Sequence, residues 1–161
     1  MLLSPHFTFA EMVYSETAQK HGISNTPPPE ALKNMQVLCN EVLEPIRNLV
    51  GKPIVINSGY RCLALNRLLG SKDPSQHVKG AAADIECPGI SNLELAELIF
   101  KSTIPWDQLI LENYKPGDPA SGWVHVSTAT RPRRQVLTFT NGRYITGLPN
   151  LISINGGNVD V

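Results

Sequence analysis

Apolar positions recur every three or four residues through the first third of the chain and every second residue in several short runs beyond it, so helices are expected first and strands later. Thr8 followed by Glu11 has the spacing of a capping box and predicts a short helix through Met12. A second short helix is expected over residues 16–20, ending at Gly22. After the stiff entry Pro27–Pro29 comes the longest helical pattern, in which Leu32, Met35, Leu38, Val42, Ile46 and Leu49 share one face. Pro45 should bend that helix late, and Gly51 should end it. The period then falls to two. PIVINSG reads as a strand with a turn at residues 57–59, and residues 60–69 read as a compact helix closed by Gly70, with Arg61 in its first turn. Strands are expected over residues 80–85, 107–112 and 123–127, and Ser91 with Glu94 should cap a helix through Leu95, Leu98 and Ile99. VLTFTNGRYI predicts a hairpin turning at Asn141-Gly142. Helices and hairpins without βαβ alternation predict an α+β fold: a single domain over residues 1–150 with a mainly antiparallel sheet and helices packed on one side. Residues 151–161, polar and glycine-rich, are expected to fray as a tail.

Composition alters this picture little. A chain of 161 residues, 42% hydrophobic and 17% charged, is long enough to bury one core. Zero formal net charge gives no electrostatic case for a nucleic-acid partner, and no run is long enough to insert in a membrane. The one basic cluster, RPRR at residues 131–134, reads as a solvated loop. Three cysteines without a CxxC pair do not make a disulfide framework; Cys39 falls within the helical pattern and is expected in the core. The start MLLSPHFTFAEM has no basic leader and meets Pro5 before an apolar run forms, so no secretory signal is expected. A monomer made in the cytoplasm is the expectation.

The chemistry concentrates in SQHVKGAAADI and GWVHVS. His77 and Asp84 stand seven residues apart around small residues that let the backbone bend and approach its neighbours, and His125 lies in an apolar strand. Two imidazoles and a carboxylate are the three-ligand set of a catalytic zinc ion whose fourth position is open. Cys87, three residues after Asp84, is an alternative ligand. His6 and His21 lie outside any motif and are expected at the surface or at caps.

The pattern SxHxxGxAxD followed by W-V-H resembles the M15 peptidases, the zinc D-Ala-D-Ala carboxypeptidase and phage endolysin group, near the small single-domain members of its subfamily A. SPHFTFAEMVYSETAQKHGISNTPPPE, VLEPIRNLVGKPIVINSGYR and WDQLILE extend the likeness over roughly the first 130 residues. The resemblance implies a hedgehog/D-Ala-D-Ala-peptidase-like fold and cleavage of the D-amino-acid-containing stem peptides of peptidoglycan, by a protein that reaches the wall after release. It places His77, Asp84 and His125 on the zinc ligands and Arg61 on an arginine that stabilises the transition state. The alternative for Arg61 is a surface residue paired with a carboxylate. Ser75, Gln76 and Trp123 are candidates for substrate contact, with loop structure the alternative for the first two.

One position departs from the pattern. Many relatives carry Glu or Asp three residues before the last zinc histidine, where this chain has Gly122. Glu112, at the end of WDQLILE, is the substitute general base if its strand pairs with residues 123–127; Asp118 is the alternative. A non-catalytic zinc-containing binding or virion module with the same fold is the rival to a peptidase.

Overall fold

In the computed structural model, described over residues 1–149, the short helices form where side chains satisfy their free amides. Helix α1 (Phe9–Val13) has the reciprocal box expected of Thr8 and Glu11, and Ser15 caps α2 (Glu16–Lys20) by accepting from Ala18 N. The long helical pattern is interrupted. It forms α3 (Pro29–Leu38), a π turn over Cys39–Leu43, and α4 (Glu44–Val50) ended by Gly51. Pro45 lacks an N–H, and in a regular helix its ring would press on the carbonyl four residues back. The chain widens before it instead, and Glu44 N donates to Cys39 O. The extra residue in that turn rotates the following face. Cys39, four residues after Met35, is in the core as expected, and Leu43 joins Met35, Leu38, Val42 and Ile46 there, while Leu49, expected there, is 43% exposed.

Six strands follow: β1 (Val55–Ser58), β2 (Ala82–Glu86), β3 (Gln108–Glu112), β4 (Trp123–Ser127), β5 (Gln135–Thr140) and β6 (Arg143–Thr146). They form one sheet in the order β1-β2-β4-β3-β5-β6, antiparallel except for the β3–β5 pair. The expected β3–β4 hairpin is present, with Glu112 opposite Trp123. So is the β5–β6 hairpin, whose turn residues Asn141 and Gly142 both have positive φ. Helix α5 (Leu63–Leu68) lies between β1 and β2, and α6 (Asn92–Lys101), capped by Ser91, between β2 and β3.

Two boundaries differ from expectation. Arg61 does not lie in the first turn of α5: Tyr60 N donates to Met12 O and Arg61 N to His77 O, which holds the chain extended until Cys62. Strand β2 begins at Ala82 because Gly80 adopts φ +72°, where an added Cβ would run into the Ala31 carbonyl of α3. That close approach is what the small residues of the motif allow.

Alternation along the strands separates two faces. Ala83, Ile85, Leu109, Leu111, Val124 and Val126 belong to the core cluster with the helical residues Met35, Leu38, Val42, Ile46, Leu95 and Ile99. Asp84, Ile110, Glu112, Trp123 and His125 occupy the opposite face and line a pocket. The architecture is α+β with a mainly antiparallel sheet, as expected. No helix among the described residues is long and apolar enough to cross a membrane. The expected tail, residues 151–161, lies outside the described residues.

The segment carrying RPRR crosses from β4 to β5, and two of its arginines are tied down rather than merely solvated. Arg133 bonds Asp107 through N, Nε and Nη2, while Arg134 donates to Ile104 O and Ser102 O and stacks over Trp106, 4.3 Å from the ring centroid.

Candidate metal centre

Strand pairing brings together residues far apart in sequence. Asp84 on β2 stands opposite His125 on β4, and His77 reaches them from the turn before β2. One ligand atom of each lies within 4.8 Å of the others, and all three residues are buried. His77 Nε2 is 3.3 Å and His125 Nδ1 3.1 Å from the same oxygen, Asp84 Oδ1. The imidazoles meet edge to face with centroids 5.1 Å apart.

Hydrogen bonding fixes what His77 offers. Its Nδ1 lies 2.8 Å from the Gly59 carbonyl, which only accepts, so Nδ1 carries a proton. In the neutral ring Nε2 is then a lone pair, and it faces a carboxylate oxygen. Two acceptors at that separation repel unless a cation lies between them. His125 Nε2 is buried with no hydrogen-bond partner among the described residues. Burial alone would raise the Asp84 carboxyl, but the two imidazoles, when protonated, hold it well below the usual carboxylate range by charge and hydrogen bonding, and a metal cation between the three groups would act in the same direction. Two nitrogens and an ionised oxygen converging in this way suit a divalent metal, and the Gly59 bond orients His77 as a ligand imidazole is commonly oriented.

Arg61 lies against this cluster. Its Nη2 is 3.2 Å from Asp84 Oδ2, its Nε donates to Ser58 Oγ, and its Nη1 donates to Asn66 Oδ1 and Ser71 Oγ. A guanidinium has five N–H groups. Four are engaged, and one Nη2 hydrogen has no partner among the described residues.

Glu112 lines the same pocket, which encloses about 700 Å³. Burial raises its carboxyl above the ordinary glutamate value, and the nearby Asp84 charge adds to this. One oxygen, Oε2, accepts a short bond from Trp123 Nε1, the residue opposite on β4. The other oxygen is left to act. Asp118 lies exposed in the intervening loop and does not line the pocket. Gly122 has φ +69°, and an added Cβ would collide with Glu112 O and lie 2.8 Å from Asn113 C. The backbone of Glu112 thus occupies the space that a side chain at position 122 would need.

The remaining candidates have structural attachments. Gln76 lines the pocket, yet its amide nitrogen is engaged by Asp107 Oδ2 at 2.9 Å and Thr128 O at 3.5 Å. Ser75 also lines the pocket, and its Oγ accepts from His77 N, bracing the turn that presents His77. Trp123 holds Glu112. Cys87 belongs to the core cluster and stands apart from the three clustered residues, and burial pushes the Cys39 thiol up to about 12. His6 pairs with Glu44 at the surface, and His21 caps α2. Sequence reasoning missed Asn66, Asp107 and Tyr144. Tyr144 lines the pocket from β6, and the Asn-Gly signal located its hairpin without indicating what the hairpin would lie beside.

Fold and pocket together define an α+β domain with a buried His-Asp-His cluster that could hold a metal ion on the open face of its sheet. Residues 5–127 match the family model described as Peptidase M15, and the chain belongs to that family. No curated protein matches the sequence.

Proposed function

We propose that the protein is a zinc-dependent peptidase that hydrolyses peptide bonds in peptidoglycan stem peptides. The observation that carries this reading is the convergence of His77, Asp84 and His125 in a pocket shared with Glu112 and Arg61. His77, Asp84 and His125 hold the metal. Bound there, zinc supplies Lewis-acid polarisation of a carbonyl and makes water nucleophilic near neutral pH. Glu112, with Oε2 fixed by Trp123, takes a proton from the attacking water and hands it to the leaving amine. Its raised proton affinity suits both transfers. Arg61 uses its unengaged Nη2 hydrogen to stabilise the developing oxyanion, while its bond to Asp84 keeps that ligand oriented. Ser75 braces His77, and Gln76 anchors the pocket floor to Asp107.

The test is incubation of the purified protein with isolated peptidoglycan, with and without a chelator, followed by mass spectrometry of released fragments and metal analysis. Zinc-dependent release of stem-peptide fragments is expected. Zinc bound at this site without cleavage of any peptidoglycan type would favour a non-catalytic module, and His125→Ala retaining full zinc occupancy would remove the ligand assignment.

A further inference from the structure

The open face of the sheet continues past Glu112 onto β5 and β6. There Gln108, Ile110, Gln135, Leu137, Tyr144 and Thr146 line a second depression of about 380 Å³. Gln108, Ile110 and Tyr144 also line the metal pocket, so the two form one groove with Tyr144 at the seam. The β5–β6 hairpin lies outside the residues that match the family model, yet it pairs directly with β3, the strand that carries Glu112.

The chemistry of this shelf differs from that of the pocket. None of its six lining residues carries a formal charge. Gln108 and Gln135, opposite each other across β3 and β5, share one hydrogen bond, Gln108 Nε2 to Gln135 Oε1 at 2.9 Å. Gln108 Oε1 and Gln135 Nε2 are left without a partner among the described residues, one an acceptor and the other a donor. A peptide group offers the complementary pair. Tyr144 is 46% exposed, with its ring packed on Phe139 at a centroid distance of 4.6 Å, so an aromatic surface is held ready beside the site. No residue that lines this shelf offers a counter-ion to a charged chain end; the cations of the adjoining pocket are Arg61, Lys72 and Arg133, the first and last of them paired with Asp84 and Asp107.

We infer that this shelf binds the uncharged backbone of a peptide that extends beyond the cleaved bond, and that Tyr144 is a specificity-determining residue selecting substrates with such an extension. The inference rests on the peptidase reading above for what lies in the groove. A half-buried aromatic contact of this kind corresponds to about tenfold in affinity or kcat/KM.

The experiment uses the full zinc-loaded chain and a synthetic stem pentapeptide, with capped versions truncated from either end around the bond that mass spectrometry identifies. One truncation is expected to lower kcat/KM about tenfold relative to the full peptide, and Tyr144→Ala to abolish most of that difference. Tyr144→Phe, which keeps the ring on Phe139, should retain most of it. Direct binding to Glu112→Gln protein gives an independent readout: Tyr144→Ala in that background should weaken the full peptide about tenfold and the responsive truncation far less. Equal cleavage and binding of all three peptides, or a full-to-truncated ratio unmoved by Tyr144→Ala, would overturn the inference. If the wild type cleaves nothing while the binding difference holds, the peptidase reading fails and the shelf stands.

Discussion

Gly122 stands where the resemblance to the M15 peptidases leads to the expectation of an acid, and its geometry predicts what happens when a side chain is placed there. In Gly122→Ala the new methyl would meet Glu112 O, Asn113 C and Tyr114 N, all backbone atoms that cannot swing aside. Placing a non-glycine residue at φ +69° costs about 1–2 kcal/mol, and overpacking typically adds about 1–3 kcal/mol. A loss of about 3 kcal/mol in a chain of this size lowers Tm by about 6–12 °C. Activity should fall further than stability does, because the atom displaced belongs to the proposed base, and misplacement by about 1 Å can cost about 10²-fold. Circular dichroism melting gives the first quantity, and kcat on stem peptides well below Tm gives the second. The sharper test is Gly122→Glu combined with Glu112→Gln, which places a carboxylate at that position. It should remain inactive. A Gly122→Ala protein that melts like the wild type, or a double variant that recovers cleavage, would refute the reasoning.

Three further outcomes are expected. Glu112→Gln should stay folded and zinc-loaded yet lose about 10²–10⁴ in rate, while Asp118→Asn keeps most activity; in the wild type, activity should fall with decreasing pH through a value above the ordinary glutamate of about 4.3, since the raised group must be ionised to accept a proton. Arg61→Ala should lose about 10²–10³ in kcat, and Arg61→Lys should recover only part, because a point charge cannot serve Ser58, Asn66 and Asp84 together; unchanged kinetics would make Arg61 purely structural. Asp107 is held at about 2 by the Arg133 hydrogen bonds against the opposing effect of burial. Because its folded value lies below the unfolded one of about 3.9, its contribution is complete above that value and lost as pH falls toward about 2. With Arg133 half-exposed, the contribution is about 1–2 kcal/mol, and Asp107→Asn should flatten the acid limb of a stability-pH curve.

The sequence by itself determined the elements whose signals act over a few residues: the capping of α1, α2 and α6, the Asn141-Gly142 turn, the strand runs, and the small residues that let Gly80 approach α3. It also presented the metal candidates, because His77 and Asp84 belong to one local motif and His125 to one strand. Tertiary structure decided everything that depends on register. Asp84 meets His125 across 41 residues only because β4 lies beside β2 in the sheet. The same pairing sets Glu112 against Trp123 and leaves Asp118 in solvent. Leu49 left the core because a π turn rotated its face, a change that the apolar period does not encode. Arg133 and Gln76 converge on Asp107 from 26 and 31 residues away, and β6 delivers Tyr144 to the metal pocket. Periodicity and capping are set by neighbouring residues, whereas the partners of a buried charge depend on which strands pair, and that is settled by the core on the opposite face of the sheet.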